Sequence, residues 1–151
     1  MDAVRIRPLE QSDFDSWAPL WKDYLVFYKT ELPQEIYRSS FDRMVSSSDA
    51  EFRGLVAEKG GNLVGLAHYL FHRHGWTIEN VCYLQDLFVA PEERGTGLGR
   101  ALIEAVYAKA DEAGASKVYW NTQESNETAR RLYDRIGKKT EFVGYERDIA
   151  R

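Results

Sequence analysis

Val4, Arg5, Ile6 and Arg7 alternate apolar and charged side chains, the two-residue period of a short strand. Past Pro8 the period lengthens. Phe14, Trp17, Leu20, Trp21, Tyr24, Leu25 and Tyr28 recur at three- and four-residue spacing. That spacing predicts a helix with one apolar face, capped by Ser12 or Asp13. Pro33 suits the first turn of a second helix carrying Ile36, Tyr37, Phe41 and Met44, which Ser46-Ser47-Ser48-Asp49 ends. Phe52 to Glu58 and Leu63 to Phe71 read as strands of a hairpin, joined by Lys59-Gly60-Gly61-Asn62, because Gly and Asn tolerate positive φ. His72 to Thr77 is a loop or a second hairpin tip. Val81 to Val89 (VCYLQDLFV) is the strongest strand signal in the chain, and Pro91 closes it.

A glycine-rich stretch, Arg94 to Gly99, leads into a helix from about Leu98 to Ala113 with Leu98, Ala101, Leu102, Ala105 and Val106 on one face and Gly114 at its end. Lys117 to Thr122 reads as another strand. Glu124 to Asn126 turns the chain into a helix carrying Ala129, Leu132, Tyr133 and Ile136, with Gly137 placed to cap its C-terminus. Lys139 to Ile149 is expected as a last strand region, bent at Gly144. The order is strand, two helices, three strands, helix, strand, helix, strand, which is an α/β domain with a mixed sheet.

Composition narrows the function classes. A chain of 151 residues is the size of one ordinary domain, expected to span residues 1–151. The 20 basic and 24 acidic side chains leave a net charge of −4 and a pI near 5.4, so nothing in the balance invites nucleic acid or an anionic membrane. No run approaches the roughly 20 apolar residues of a membrane-spanning helix. The opening MDAVRIRPLEQSD has acids and no apolar core, unlike a signal peptide. The single Cys82 fits a reducing, cytoplasmic setting and reads as a small buried residue. Trp76 and Trp120 read as packing residues. His72-Arg73-His74 lacks a third ligand at metal spacing, so no metal is expected.

The segment with chemistry is Arg94-Gly95-Thr96-Gly97-Leu98-Gly99-Arg100, lying between a strong strand and a helix. Three alternate glycines remove Cβ atoms where a ligand would touch backbone, and the helix start offers unpaired N–H groups and the positive end of its dipole. Together these suit a phosphate or pyrophosphate, with Arg94 and Arg100 adding cationic side chains. A Walker loop needs a Gly-Lys-Ser/Thr ending, which is absent. The dinucleotide fingerprint fails on spacing, since its third glycine falls on Arg100 or Leu102.

Leu87-Phe88-Val89-Ala90-Pro91-Glu92-Glu93-Arg94-Gly95-Thr96-Gly97-Leu98-Gly99 resembles the acetyl-CoA-binding motif of the GNAT superfamily of N-acetyltransferases, Arg/Gln-x-x-Gly-x-Gly/Ala after a hydrophobic strand. Ser125-Asn126-Glu127-Thr128-Ala129-Arg130-Arg131-Leu132-Tyr133 and Gly137 resemble the superfamily's last signature, Asn-x-x-Ala-x-x-Leu-Tyr…Gly. YLQDLFV and VYWNTQESNETARRLY are most similar to the small histone and polyamine acetyltransferase branch. The resemblance covers nearly the whole chain. It implies a mixed, largely antiparallel central sheet with splayed parallel strands and helices on both faces. It also implies direct acetyl transfer from acetyl-CoA to a primary amine: a polyamine, an amino acid or a protein lysine.

By the same resemblance the pyrophosphate would sit on the N–H groups of Gly95, Thr96, Gly97, Leu98, Gly99 and Arg100. Leu87, Phe88 and Val89 would belong to the cofactor site, the pantetheine pairing with the backbone of Leu87 and Val89 as an added strand. Asn126 would help hold the CoA arm. Tyr133 would protonate the departing thiolate. A backbone N–H of the Leu87–Val89 strand would face the oxyanion. Substrate contacts would come from Tyr24, Phe27, Tyr28 and Glu31, with Gln85 and Asp86 beside them, although Tyr24 and Tyr28 also suit the helix core. Polyamine relatives carry Glu at the position of Gln85, and an amide accepts no proton usefully. No base is named. Asp86 would orient the amine or brace the strands, and proton loss through water, helped by His68 or Glu124, stays open. The missing base motivates an alternative, a catalytically silent acyl-CoA sensor. A homodimer through the C-terminal strands or helices is expected.

Overall fold

A computed structural model describes residues 3–149. One compact unit runs to Trp120 and a second begins at Asn121. The first holds a five-stranded sheet in the order β1-β2-β3-β4-β5. β1 (Val4–Pro8), β2 (Arg53–Lys59), β3 (Asn62–His72) and β4 (Val81–Val89) pair antiparallel in sequence, and β5 (Val118–Tyr119) joins β4 in parallel. This is the mixed, largely antiparallel sheet expected. The β2–β3 hairpin closes at Lys59↔Asn62, as the Gly-Gly turn requires.

Helices cover both faces. α1 (Phe14–Phe27) and α2 (Gln34–Val45) share one aromatic layer. Trp17 is 0% exposed, stacks on Trp21 at 5.0 Å and meets Phe41 at 5.3 Å. Trp17, Trp21, Tyr37 and Phe41 make up its buried rings, and such wide side chains bury large apolar areas. α3 (Leu98–Glu112) buries Leu102, Ile103 and Val106 against the other face. There the Cδ1 of Leu102 lies 3.0 Å from where a Cβ on Gly65 would stand. A side chain at Gly65 would force Leu102 to give by a few tenths of an ångström. The second unit contains α4 (Glu127–Ile136), begun by Asn126, whose side chain accepts from the Ala129 amide at 3.3 Å.

One ionic cluster ties the chain's start to the sheet. Arg7 grips Asp13 through two hydrogen bonds of 2.8 and 2.9 Å and reaches Glu58 on β2 at 2.9 Å. Asp13 also accepts the Glu10 amide at 2.7 Å, fixing the short 3-10 turn that leads into α1. Asp13 therefore starts the helix, but through this turn and not through a side-chain cap on α1. The Arg7 guanidinium holds the Asp13 carboxyl below the usual carboxylate range, and the paired carboxylates push Arg7 up.

Three expectations are corrected. Residues 139–149 form no strand; Phe142, Val143, Tyr145 and Ile149 are 76–94% exposed there, because a strand needs a neighbouring edge and this segment pairs with none among the described residues. β5 is two residues, not six, because its ladder with β4 ends at Tyr83↔Tyr119. Trp76 does not pack in the core: it stands 85% exposed at the β3–β4 turn, touching the His74 ring at 5.5 Å. Trp120 does pack, 6.3 Å from Tyr107.

Asp13→Asn should destabilise the protein by about 2–3 kcal/mol at pH 7, since it strips Arg7 of its closest partner. A depressed carboxylate stabilises fully above its unfolded value and loses that contribution as pH falls through the folded one. Urea melts of wild type and variant should differ by a constant amount from pH 8 to about 5, and the gap should narrow below about pH 4. A gap that widens in acid would contradict this cluster's role.

Candidate active site

The site starts from a defect in the sheet. On β3, His68 faces Asp86 while Tyr69 faces Leu84, so Gln85 is an extra residue with no partner. That is a β-bulge, and it bends the strand that carries it. Before the bulge, Cys82 and Tyr83 pair with β5, and the Cys82 amide donates to Lys117 at 2.9 Å. Beyond it β5 has gone. The Ala90 amide donates to Val64, and Phe88 and Asp86 oppose Leu66 and His68. By the alternation of an antiparallel ladder, Asp86, Phe88 and Ala90 spend their backbone groups on β3. Leu87 and Val89 turn theirs to the edge that β5 has left. Phe88, expected in the cofactor set, thus differs from its neighbours. Its backbone is committed to β3 and its side chain packs on Tyr24 at 6.0 Å.

The open edge runs into the glycine loop. Glu93, 9% exposed, is tied to Lys59 of β2 at 2.9 Å, and its carbonyl accepts the Thr96 hydroxyl at 2.7 Å. Gly95 and Gly97 take φ of 80° and 84°, which residues with a Cβ rarely adopt, and nothing lies within 4 Å of either missing Cβ. The first bond inside α3 runs from the Ala101 amide to the Gly97 carbonyl at 3.0 Å. The amides of Leu98, Gly99 and Arg100 precede it and have no acceptor within the helix. Donors, dipole and open space fit an anionic diphosphate. The flanking cations are already engaged: Arg100 pairs with Glu104 at 2.8 Å, and Arg94 donates through Nε to the Val89 carbonyl at 3.1 Å. The Arg94 guanidinium lies over the rings of Phe88 at 5.4 Å and Phe27 at 5.9 Å.

On the α1 face, next to the bulge, sits a polar cluster. Asp86 accepts the Tyr24 hydroxyl on Oδ1 at 2.7 Å, and its Oδ2 meets Nδ1 of His68 at 2.8 Å. The indole of Trp17 donates to Nε2 of the same imidazole at 3.1 Å. Tyr28 stacks obliquely on Tyr24 at 5.1 Å. Burial first, and then the Asp86 charge, push the phenols of Tyr24 and Tyr28 above their ordinary range, so both stay neutral donors. Gln85 is exposed, on the bulge itself. Glu31 is not brought to this cluster. It lines a separate hollow of about 390 Å³ with Lys22, Lys29 and Tyr37. His68 is 2% exposed with both ring nitrogens engaged, which removes it as a free base. Cys82 is 0% exposed, and burial pushes its thiol up to about 11, an inert packing residue.

In the second unit, Asn126 spends its side-chain oxygen on the α4 cap, and the Tyr133 carbonyl accepts the Gly137 amide at 2.8 Å. Gly137 ends α4 as expected, but in extended and not left-handed conformation. The helical spacing alone reads Trp17 as core and Tyr24 as core or substrate contact. The available signal was their spacing of seven on one helix face, which aims both at one strip of sheet.

A half-open parallel pair of strands, a glycine-cradled helix start and an acid flanked by aromatic rings define a class, the acyl-CoA-dependent transferases. The model of the acetyltransferase (GNAT) family matches residues 14–137, and the chain belongs to that family. It is similar to the D-amino-acid N-acetyltransferase of Saccharomyces cerevisiae, with 38% identity over 97% of this chain and 92% of the relative. Thialysine N-epsilon-acetyltransferase of Mus musculus is 29% identical over 96% and 91% of the two chains. Among solved structures, an aminoglycoside N-acetyltransferase in complex with CoA superposes with a TM-score of 0.85, covering 99% of this chain and 97% of that one. At 19% identity that likeness concerns the fold.

The loop geometry makes Gly97→Val informative. A branched side chain at φ of 84° costs about 1–2 kcal/mol and fills the space above the amides. Titration calorimetry should show CoA binding weakened by more than about tenfold with the melting temperature lowered by only a few degrees. Unchanged CoA affinity would remove the loop from the site.

Proposed function

We propose that this enzyme acetylates the primary amine of a small, amino-acid-like molecule. The observation that carries the reading is Asp86. Its Oδ1 accepts the Tyr24 hydroxyl and its Oδ2 faces Nδ1 of His68, beside the open edge of β4 and the rings of Tyr24 and Tyr28. An ammonium group is drawn there by the charge and by the faces of the rings. The 38%-identical relative named for D-amino acids and the relative named for thialysine support an amino-acid amine over a polyamine or a protein lysine.

In this reading acetyl-CoA lies along Leu87 and Val89, its diphosphate on the amides from Gly95 to Arg100, with Asn126 beside its arm. Arg94 gives up the Val89 carbonyl as the thioester's amide arm takes it. Acetyl-CoA supplies the activated acyl group. An alkylammonium near neutrality is almost wholly protonated, so it must lose a proton before its nitrogen attacks. The amide of Gln85 takes none, and the proton leaves through water at the exposed bulge. An N–H on the open edge, at Leu87 or Val89, faces the oxygen where negative charge grows. The Tyr133 phenol donates to the departing sulfur. The setting is cytoplasmic, and the acetyltransferase domain is a single one over residues 1–151. The exposed Phe142, Val143, Tyr145 and Ile149 support a homodimer in which residues 139–149 find their partner edge on a second copy.

An amine panel tests the substrate class. D-amino acids and thialysine should release CoA thiol from acetyl-CoA faster than spermidine or a lysine-rich peptide. Fastest turnover on the peptide or spermidine would overturn the assignment. Tyr133→Phe should lower kcat by about 10² to 10³ while leaving the calorimetric affinity for acetyl-CoA within twofold. Full activity in that variant would remove Tyr133 from the chemistry.

A further inference from the structure

Asp86 is surrounded by more machinery than a simple surface anchor needs. Its carboxylate side chain is only 12% exposed, and the imidazole behind it is 2% exposed. An indole N–H donates and never accepts. The Trp17 indole points at Nε2 of His68 at 3.1 Å, so that nitrogen accepts and carries no proton. The ring's proton is therefore on Nδ1, aimed at Oδ2 of Asp86 at 2.8 Å. Tyr24 supplies a second neutral donor to Oδ1 at 2.7 Å. Trp17 and Trp21 wall the imidazole from α1, at ring distances of 5.9 and 6.2 Å, and Asp86 is the charged group that meets it from β4.

The consequence is electrostatic. A doubly protonated imidazole against Asp86 would form an ion pair and cancel the charge that draws an ammonium group. A neutral imidazole orients the carboxylate and leaves its charge intact. Trp17 decides between the two by occupying Nε2. The bulge at Gln85 sets the register that brings His68 opposite Asp86. Each carboxylate oxygen accepts one donor and keeps a second lone pair for the amine.

We infer that Trp17 and His68 are positioning residues that clamp Asp86 as an oriented, uncompensated anion for the substrate's ammonium group. This rests on the reading of Asp86 as the amine's anchor. It goes beyond that reading by assigning the amine's affinity to two buried residues that do not touch the amine.

The test combines variants with spectroscopy on the whole protein. Nitrogen-15 NMR of the His68 ring, without any ligand, should show Nδ1 protonated and Nε2 bare. In Trp17→Phe, which keeps an aromatic ring but loses the donor, an Nε2-protonated form should appear. His68→Leu should raise KM for the fastest amine of the panel by about tenfold, leaving KM for acetyl-CoA within twofold. His68→Asn keeps an amide donor near the position of Nδ1 and should return the amine KM to within about threefold of wild type. Equal defects in the Leu and Asn variants, or a protonated Nε2 in wild type, would overturn the clamp. Asp86→Asn separates this from the parent reading. If it leaves the amine KM unchanged, Asp86 is no anchor. If it raises that KM while His68→Leu does not, the clamp alone fails. Should His68→Leu not fold, the NMR comparison of wild type with Trp17→Phe decides.

Discussion

Backbone hydrogen bonding governs this molecule. A strand inside a sheet has its N–H and C=O groups satisfied on both sides, and leaving them unpaired away from water costs about 1–3 kcal/mol each. β4 meets that demand on one side throughout, against β3, but on the other side only at Cys82 and Tyr83. The bulge at Gln85 and the end of β5 leave Leu87 and Val89 with an edge unfilled in the sheet. Arg94 covers one of its carbonyls with a side chain. A strand in this state is a template for an extended polar chain that carries its own amides.

The elements around that edge are placed by ordinary packing. α3 sits close because Gly65 admits Leu102, and its start lies at the end of the open edge because Glu93 is anchored to Lys59. The aromatic layer of α1 brings Trp17 and Tyr24 down onto β3 and β4. One helix therefore serves as both core and site. That economy explains why Trp17 is wholly buried and still has its one polar atom in a functional cluster.

Much of this was legible in the sequence, for specific reasons. VCYLQDLFV is a continuous β-rich run, and β4 spans those nine residues; the Gly-Gly turn fixed the β2–β3 hairpin. The loop from Arg94 to Arg100 announced a helix start suited to an anion, because glycine at alternate positions has few other uses. The bulge left no such mark, since Gln85 is an ordinary residue whose unpaired status follows from the register of β3. The pairing of His68 with Asp86 was hidden with it. The segment after Lys139 misled in the opposite way. Its apolar residues have strand composition, but composition does not supply the edge a strand must pair with. Trp76 reads as core in the sequence because a large ring does so unless the turn that carries it is known to project.

The central claim is that Leu87 and Val89 present the vacant edge that acetyl-CoA fills. Residue-resolved hydrogen exchange with and without CoA measures it directly. Among the β4 amides, those of Leu87 and Val89 should gain protection on CoA binding, while Asp86 and Phe88, already bonded to β3, change little. Protection rising elsewhere, with Leu87 and Val89 still exchanging as in the free protein, would contradict the account.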